Sequence, residues 1–403
     1  MKILLKNNTT LDELHAAVVF ELERKGSILS PQAVDEVLIT LLQTDQADFS
    51  HLRKRLHNRI FSFGVLTDIL TDQEVTEVMV NGPEHVYIER QGILSRADVR
   101  FESEEELLMV INRIVSEVGR RVDASQPLCD ARLADGSRVN VIIPPLSLVG
   151  PVLTIRRFPK NAMNLEDLVI KASLSPAMAE FLRACVRAKL NVIISGGTGG
   201  GKTTLLNALG SEISKAERLL TIEDSAEMKI DHPHLISLEA RQANIEGQGE
   251  IPIRTLVKNA LRMRPDRIIV GEIRGGEALD MLQAMNTGHQ GSLTTVHANA
   301  PLEALFRVET MCLMSGVELP LSAVRQQVAQ AVHVIVQQER LSDGNRKVTS
   351  ICMLEPEWQN GFVLRELCKF DKVTDQHVWT GETPNRLQLF EQAKVIIQPE
   401  WFA

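Results

Sequence analysis

The residues best suited to chemistry form one short run, Gly196-Gly-Thr-Gly-Gly-Gly-Lys-Thr-Thr204, directly after the branched apolar stretch Asn191-Val-Ile-Ile-Ser195. Gly196, Gly201, Lys202 and Thr203 satisfy the spacing Gly-x4-Gly-Lys-Thr. The apolar stretch reads as a buried parallel strand. Thr204-Leu-Leu-Asn-Ala-Leu209 holds good helix formers, so a helix is predicted to open near Lys202. Strand, glycine loop and helix together are the context of a phosphate-binding loop. Gly197, Gly199, Gly200 and Gly201, with Thr198 among them, let backbone N–H groups converge on phosphate oxygens. The helix N-terminus adds partial positive charge. Lys202 is placed to reach the β- and γ-phosphates, the Thr203 hydroxyl to ligate Mg²⁺, and Thr204 to complete the loop. The plain alternative is a glycine-rich turn ahead of a helix. With Gly at ~7% of residues, such a match arises by chance in roughly 1% of chains this long.

Three further stretches end predicted strands. Arg267-Ile-Ile-Val-Gly-Glu272 sets Glu272 beside a γ-phosphate, to polarise attacking water or to help hold hydrated Mg²⁺. Leu219-Leu-Thr-Ile-Glu-Asp224 brings Glu223 to a second strand end. Asn286-Thr-Gly-His-Gln-Gly291 and Thr294-Thr-Val-His297 put His289 and His297 on either side of another strand. A lone strand-end acid is ordinarily a helix cap or a surface charge, and a lone histidine a structural hydrogen-bonder. A shared position behind a phosphate loop favours the catalytic reading for Glu272, Glu223 and His297. His289 stays open between phosphate sensor and scaffold.

The elements that must position these groups follow from pattern. Residues 1–72 read as a helical segment, with a capping box at Thr10 and Glu13, a Ser30-Pro31 helix start and a basic run from His51 to Arg59. Residues 73–158 switch to short strands around one helix over Glu104–Val118, with a hairpin signal at Asp135-Gly136. A linker is expected at 159–165. Residues 166–345 alternate strand and helix, with strands near 191–195, 219–223, 267–271, 292–296 and 332–336. That order implies an α/β fold with a mostly parallel sheet, helices on both faces and ligands at the carboxyl ends of the strands. Residues 346–403 form a C-terminal extension in which Val348–Met353 and Phe362–Leu367 are candidates to pair across Asn360-Gly361.

Bulk properties narrow the class of partner. The 403 residues carry 52 acids against 44 bases, a net charge of −8, and only 4% are aromatic. Neither a global basic field nor base-stacking platforms are on offer, so no stable nucleic-acid complex is expected. The amino terminus lacks a signal-peptide core, no apolar run is long enough to span a membrane, and five cysteines without a C-x-x-C pair suggest reduced thiols.

Gly196–Thr204, the acidic box Thr221–Glu227, Leu261–Glu272 and Thr287–Asn299 together resemble the secretion ATPase superfamily of type II and type IV secretion and type IV pili, over about residues 68–370. They match its Walker A, Asp, Walker B and His boxes. Within it the chain most resembles the CpaF/TadA branch of Tad (Flp) pili, on Val75–Pro83, Arg132–Asn140, Asn244–Gly249 and the residues after Gln338; a four-cysteine zinc module is missing. The resemblance implies a RecA-like P-loop motor domain behind a smaller, PAS-like α/β domain. It further implies a homo-hexamer that uses ATP and Mg²⁺, is cytoplasmic and peripheral at the inner membrane, and docks on polytopic inner-membrane proteins. Arg156 and Arg157 match the arginines that close the nucleotide site, with Arg132 and Arg138 as further candidates whose alternative is strand-face ion pairing. The rival readings are a hexameric nucleic-acid translocase, a type IV secretion ATPase serving conjugation, and an assembly protein that binds nucleotide and barely hydrolyses it.

Overall fold

Alternation of apolar and polar residues shapes the first sheet, and uninterrupted apolar runs shape the second. The computed structural model describes residues 11–26, 28–42, 47–90, 92–157, 163–241, 248–358 and 361–402. The chain divides into two units, residues 1–159 and 160–403. Thr10, half of the predicted capping box, lies outside the described residues, as do 159–162 of the expected linker and most of Asn244–Gly249.

The first unit begins with α1 (Leu11–Lys25), α2 (Pro31–Leu42), α3 (Ala47–Phe61) and α4 (Thr67–Thr71). Ser30 caps α2 as its sequence suggests, its hydroxyl accepting from the Ala33 N–H at 3.2 Å. Leu11, Leu14, Val18 and Leu22 of α1 close a small core with Val34, Val37, Leu38 and Leu56. The strands β1 (Val75–Asn81), β2 (Val86–Arg90) and β3 (Ile93–Arg96) precede the helix α5 (Glu104–Ser116), and β4 (Leu128–Arg132), β5 (Arg138–Ile142) and β6 (Val152–Arg156) follow it. They form one six-stranded sheet in the order β3-β2-β1-β6-β5-β4, each neighbour antiparallel. Ser103 caps α5, whose Leu107, Val110, Ile111 and Ile114 are buried against Val78, Val80 and Ile155.

The second unit contains α6 (Leu165–Ile170), α7 (Pro176–Arg187), β7 (Val192–Gly196), α8 (Lys202–Ser211), β8 (Leu219–Glu223), β9 (Leu235–Glu239), α9 (Ile253–Ala260) and β10 (Arg267–Val270). It continues with α10 (Glu277–Asn286), β11 (Leu293–Val296), α11 (Pro301–Leu313), α12 (Leu321–Ala331), β12 (Val334–Arg340), β13 (Arg346–Leu354), β14 (Leu364–Asp371), β15 (Gln376–Trp379) and α13 (Leu387–Gln392). Every residue of β7, β8, β10 and β11 is buried, because helices cover both faces. Ile194 packs toward α7 and α8, Ile193 toward α10, α11 and α12. Each such aliphatic side chain contributes about 1.5–3 kcal/mol on burial.

The sheet order is β15-β14-β13-β12-β7-β11-β10-β8-β9. From β12 to β9 the strands are parallel, while β13, β14 and β15 add antiparallel partners at one side. Residues after 345 therefore lengthen the sheet of the second unit itself. The tail, silent in sequence, closes its core: Phe390 and Phe402 are buried, with the Phe181 ring 5.6 Å from Phe402 and 6.0 Å from Trp379.

Candidate active site

The glycine loop leaves β7 and turns into α8 at Lys202. Gly199 and Gly201 sit at φ 70° and 94°, left-handed conformations that side chains disfavour. Gly196 answers a different demand. A Cβ there would stand 2.3 Å from the Gln338 carbonyl oxygen of neighbouring β12, so no side chain fits. The Lys202 ammonium lies across the loop mouth and donates to the Gly196 and Gly197 carbonyls at 2.9 and 3.0 Å. Burial lowers its pKa, and the charge of nearby Glu272 opposes that shift.

Glu272 follows β10, two strands from β7, and faces a cleft of about 400 Å³ lined by Glu272, Ile273, Arg274, His297 and Arg307. The structure thus brings Glu272 and His297 together at the carboxyl side of the sheet. Arg274 donates to one Glu272 oxygen through two nitrogens, at 2.9 and 2.5 Å, and also lies 3.7 Å from Asp224. Arg307, on α11, gave no sequence signal, because nothing in helix periodicity marks which exposed arginine meets a cleft.

Glu223 ends β8 beside Gly271, where a Cβ on the glycine would stand 3.1 Å from the Glu223 side chain. Burial lifts its carboxyl pKa to about 7, although the Glu227 and Met228 N–H groups donate to it at 2.8 and 2.9 Å and favour the ionised form. A carboxyl poised near neutrality can accept or release a proton.

The sequence leaves His289 open between phosphate sensor and scaffold. It precedes β11, at the amino ends of the strands, where its carbonyl accepts from the Ser292 hydroxyl at 2.7 Å. The adjoining Gly291 N–H donates to Asn191, the residue before β7. The phosphate loop lies at the opposite ends of these strands, because parallel strands put all their carboxyl ends on one side. His289 therefore stands on the scaffold side of this unit, away from the loop.

In the first unit, Arg157 donates through its guanidinium to the Asp72 and Val75 carbonyls, at 3.2 Å for the latter, which ties β6 to the corner between α4 and β1. Arg156 is exposed. The antiparallel register sets Arg132 opposite Arg138, Arg138 opposite Arg156, and Arg156 opposite Glu77. Directly opposed residues share a face, so three arginines line up across β4, β5 and β6. A separate cleft of about 810 Å³ in this unit mixes Arg55, Arg59, Arg96 and Arg100 with Asp68, Glu84, Asp98 and Glu106, and holds none of the predicted site residues.

Among the described residues no group of three His, Cys, Asp or Glu could hold a metal alone. One hydroxyl at Thr203 and a carboxylate acting through water at Glu272 suit Mg²⁺ nonetheless, since that ion keeps waters and phosphate oxygens in its shell.

Parallel strand order, glycine loop and strand-end acid define the RecA-like P-loop class. Residues 62–374 match the family described as Type II/IV secretion system protein, and the chain belongs to that family. Among its relatives is a Mycobacterium tuberculosis (strain H37Rv) chain described as a candidate conjugal transfer protein, 38% identical over 305 residues that cover 74% of this chain and 86% of the other. The conjugal transfer protein TrbB of Rhizobium radiobacter is 33% identical over 315 residues, 77% and 92% of the two chains. The type IV secretion system protein PtlH of Bordetella pertussis (strain Tohama I) is 33% identical over 310 residues, 70% and 90%. Among solved structures, the Yersinia pseudotuberculosis ATPase DotB has a similar fold, with TM-score 0.54, 22% identity, and coverage of 73% of this chain and 78% of that one. The pilus retraction motor PilT, solved with bound ADP, has TM-score 0.53, 20% identity, and coverage of 81% and 86%.

Proposed function

We propose that this chain is a Mg²⁺-dependent ATPase that powers a secretion or pilus machine, working as a homo-hexamer docked on polytopic inner-membrane proteins at the cytoplasmic face. The observation that carries the reading is that Lys202 and Glu272 lie within electrostatic reach, with His297 lining the same cleft as Glu272. The loop amides and Lys202 hold phosphates, while Glu272 orients a water and takes its proton. Arg274 fixes the Glu272 carboxylate, and Glu223 and His297 assist from the neighbouring strand ends. Mg²⁺, when bound, neutralises phosphate charge, with Thr203 as its protein ligand and Glu272 reaching it through water. Arginines of the first unit, Arg156 and Arg157 with Arg132 and Arg138, supply further positive charge when the site closes.

The finer reading is a Tad-type pilus motor, supported by Val75–Pro83 and Arg132–Asn140. A second reading, a type IV secretion ATPase including one that serves conjugation, is favoured by the names of the TrbB and PtlH relatives. The nucleic-acid translocase loses ground on the basic run of α3. Arg53 pairs with Asp35, Lys54 with Asp68 at 2.8 Å, and Arg55 with Glu102 at 3.1 Å, so these bases already have acidic partners. No helix among the described residues is long and apolar enough to cross a membrane.

The test is phosphate release by the purified chain and by Lys202→Ala, which removes the charge that bridges the phosphates and should fall to background while remaining folded. Near wild-type turnover in a folded Lys202→Ala protein overturns the assignment. The same assay at low salt separates the motor classes: stimulation by the cytoplasmic domain of an inner-membrane partner supports secretion, and stimulation by DNA supports the translocase.

A further inference from the structure

β10 and β11 pair in parallel only as far as Val270 and Thr294. One residue further on, β10 has ended and the chain turns off through Gly271 and Glu272. Thr295 follows it there with both its side chain and its backbone. Its hydroxyl donates to the Gly271 carbonyl at 2.7 Å, and its own carbonyl accepts from the Ile273 N–H at 3.1 Å. The two bonds fall on the residues immediately before and after Glu272. On the opposite side the Gly271 N–H donates to the Ile222 carbonyl of β8 at 2.8 Å. The backbone that carries Glu272 is therefore pinned from both neighbouring strands, while Arg274 holds the carboxylate.

Thr295 also reaches the strand on its other side. It pairs with Ile194 of β7, and the next pair joins Val296 to Ser195, the residue before Gly196. One residue thus connects the strand that ends in the phosphate loop with the turn that carries the strand-end acid. Its neighbour Thr294 supplies the contrast. Both are buried, 1% exposed at Thr294 and 2% at Thr295. Successive strand residues point to opposite faces, and the Thr294 hydroxyl finds no hydrogen-bond partner among the described residues. Residue type and burial are shared, and only the Thr295 hydroxyl meets the Glu272 turn.

We propose that Thr295 is a positioning residue for the hydrolytic step: through Gly271 and Ile273 it fixes where Glu272 stands relative to the phosphate loop. The proposal rests on the reading of Glu272 as the group that activates water. Thr295 does not line the Glu272 cleft and touches no substrate in this role. A reacting group displaced by about 1 Å loses on the order of 10²-fold in rate, so a hydroxyl behind the cleft can govern kcat. Nucleotide affinity, which depends on the loop amides and Lys202, stays as it is.

The experiment compares steady-state kinetics, and binding of ADP and a non-hydrolysable ATP analogue, for the full chain, Thr295→Val, Thr295→Ser and Thr294→Val. Thr295→Val keeps the shape and removes the hydroxyl. Its kcat should fall about tenfold or more, while both affinities hold within about threefold. Thr295→Ser restores the donor and should bring kcat back to within about threefold of wild type. Thr294→Val, the same exchange on the other face, should leave kcat in place. A cycle with Glu272→Gln then asks whether Thr295 acts through Glu272. Adding Thr295→Val to Glu272→Gln should lower turnover by less than about a further twofold. If Thr295→Val melts below the assay temperature, Thr295→Ala also lacks the donor and is read the same way. Normal kcat in a folded Thr295→Val protein overturns the proposal. So do equal losses in Thr295→Val and Thr295→Ser, which trace the effect to packing, and a fully additive loss in the Glu272→Gln background. Undiminished turnover in Glu272→Gln alone overturns the underlying reading of the site instead.

Discussion

Glu272 and Arg274, two residues apart on the turn that leaves β10, are joined by two hydrogen bonds that fall on the same carboxylate oxygen. The pairing holds the acid in one orientation above the sheet. Glu272→Gln preserves shape and most hydrogen bonding but loses the base. ATP should still bind, and turnover should fall by roughly 10²-fold or more. Single-turnover kinetics beside equilibrium binding make the distinction. Lost binding with normal turnover per bound ATP would reassign Glu272 as a binding residue.

Gly196 is the tightest backbone contact of the phosphate loop. Gly196→Ala must push the Gln338 carbonyl away or tear the end of the β7–β12 ladder, so an overpacking cost of about 3 kcal/mol or more is expected. Gly197→Ala, where a Cβ meets nothing within 4 Å, should cost far less. Denaturant melts of the two variants check the contrast, and equal stabilities would mean the β12 wall yields.

The arginine row of the first unit separates function from stability. Arg156 is exposed, has Arg138 on one side and Glu77 on the other, and shares its face with both. Arg156→Ala should move Tm by no more than about 2 °C, as surface substitutions do. If the row neutralises phosphate charge in the working enzyme, turnover at saturating ATP should nevertheless fall about tenfold or more. Normal turnover in Arg156→Ala, Arg157→Ala and the double variant removes these arginines from catalysis.

Glu223 predicts a pH dependence. Its folded carboxyl has a pKa of about 7 against an ordinary 4.5, chiefly because it is buried. A raised acid holds its proton in the folded state where the unfolded chain has released it. Its contribution is complete below about 4.5 and is lost as pH rises through about 7, which amounts to roughly 3 kcal/mol at most. Glu223→Gln should flatten the fall of Tm across that window. Equal slopes in both proteins would show that another group titrates.

Local chemistry made the centre of this protein readable from sequence alone. The strand before Gly196, the glycine spacing and the helix at Lys202 are contiguous, so propensity and spacing specify them without reference to the rest of the chain. The Asp135-Gly136 turn belongs to the same class, and it sets Arg132 opposite Arg138. Strand-end position marked Glu272, Glu223 and His297, because a parallel sheet sends every carboxyl end the same way.

Tertiary structure alone decided which strands are neighbours. Arg346 meets Gly199 across a separation of 147 residues because β12 docks beside β7, a choice made by apolar faces packing between helices that no local periodicity encodes. The same packing recruited β13, β14 and β15 into the motor sheet and put Arg307 in the Glu272 cleft. It also placed His289 ahead of β11, at the amino end of that strand. A histidine's residue type announces chemistry, and only the direction of the strand says at which end of the sheet that chemistry falls.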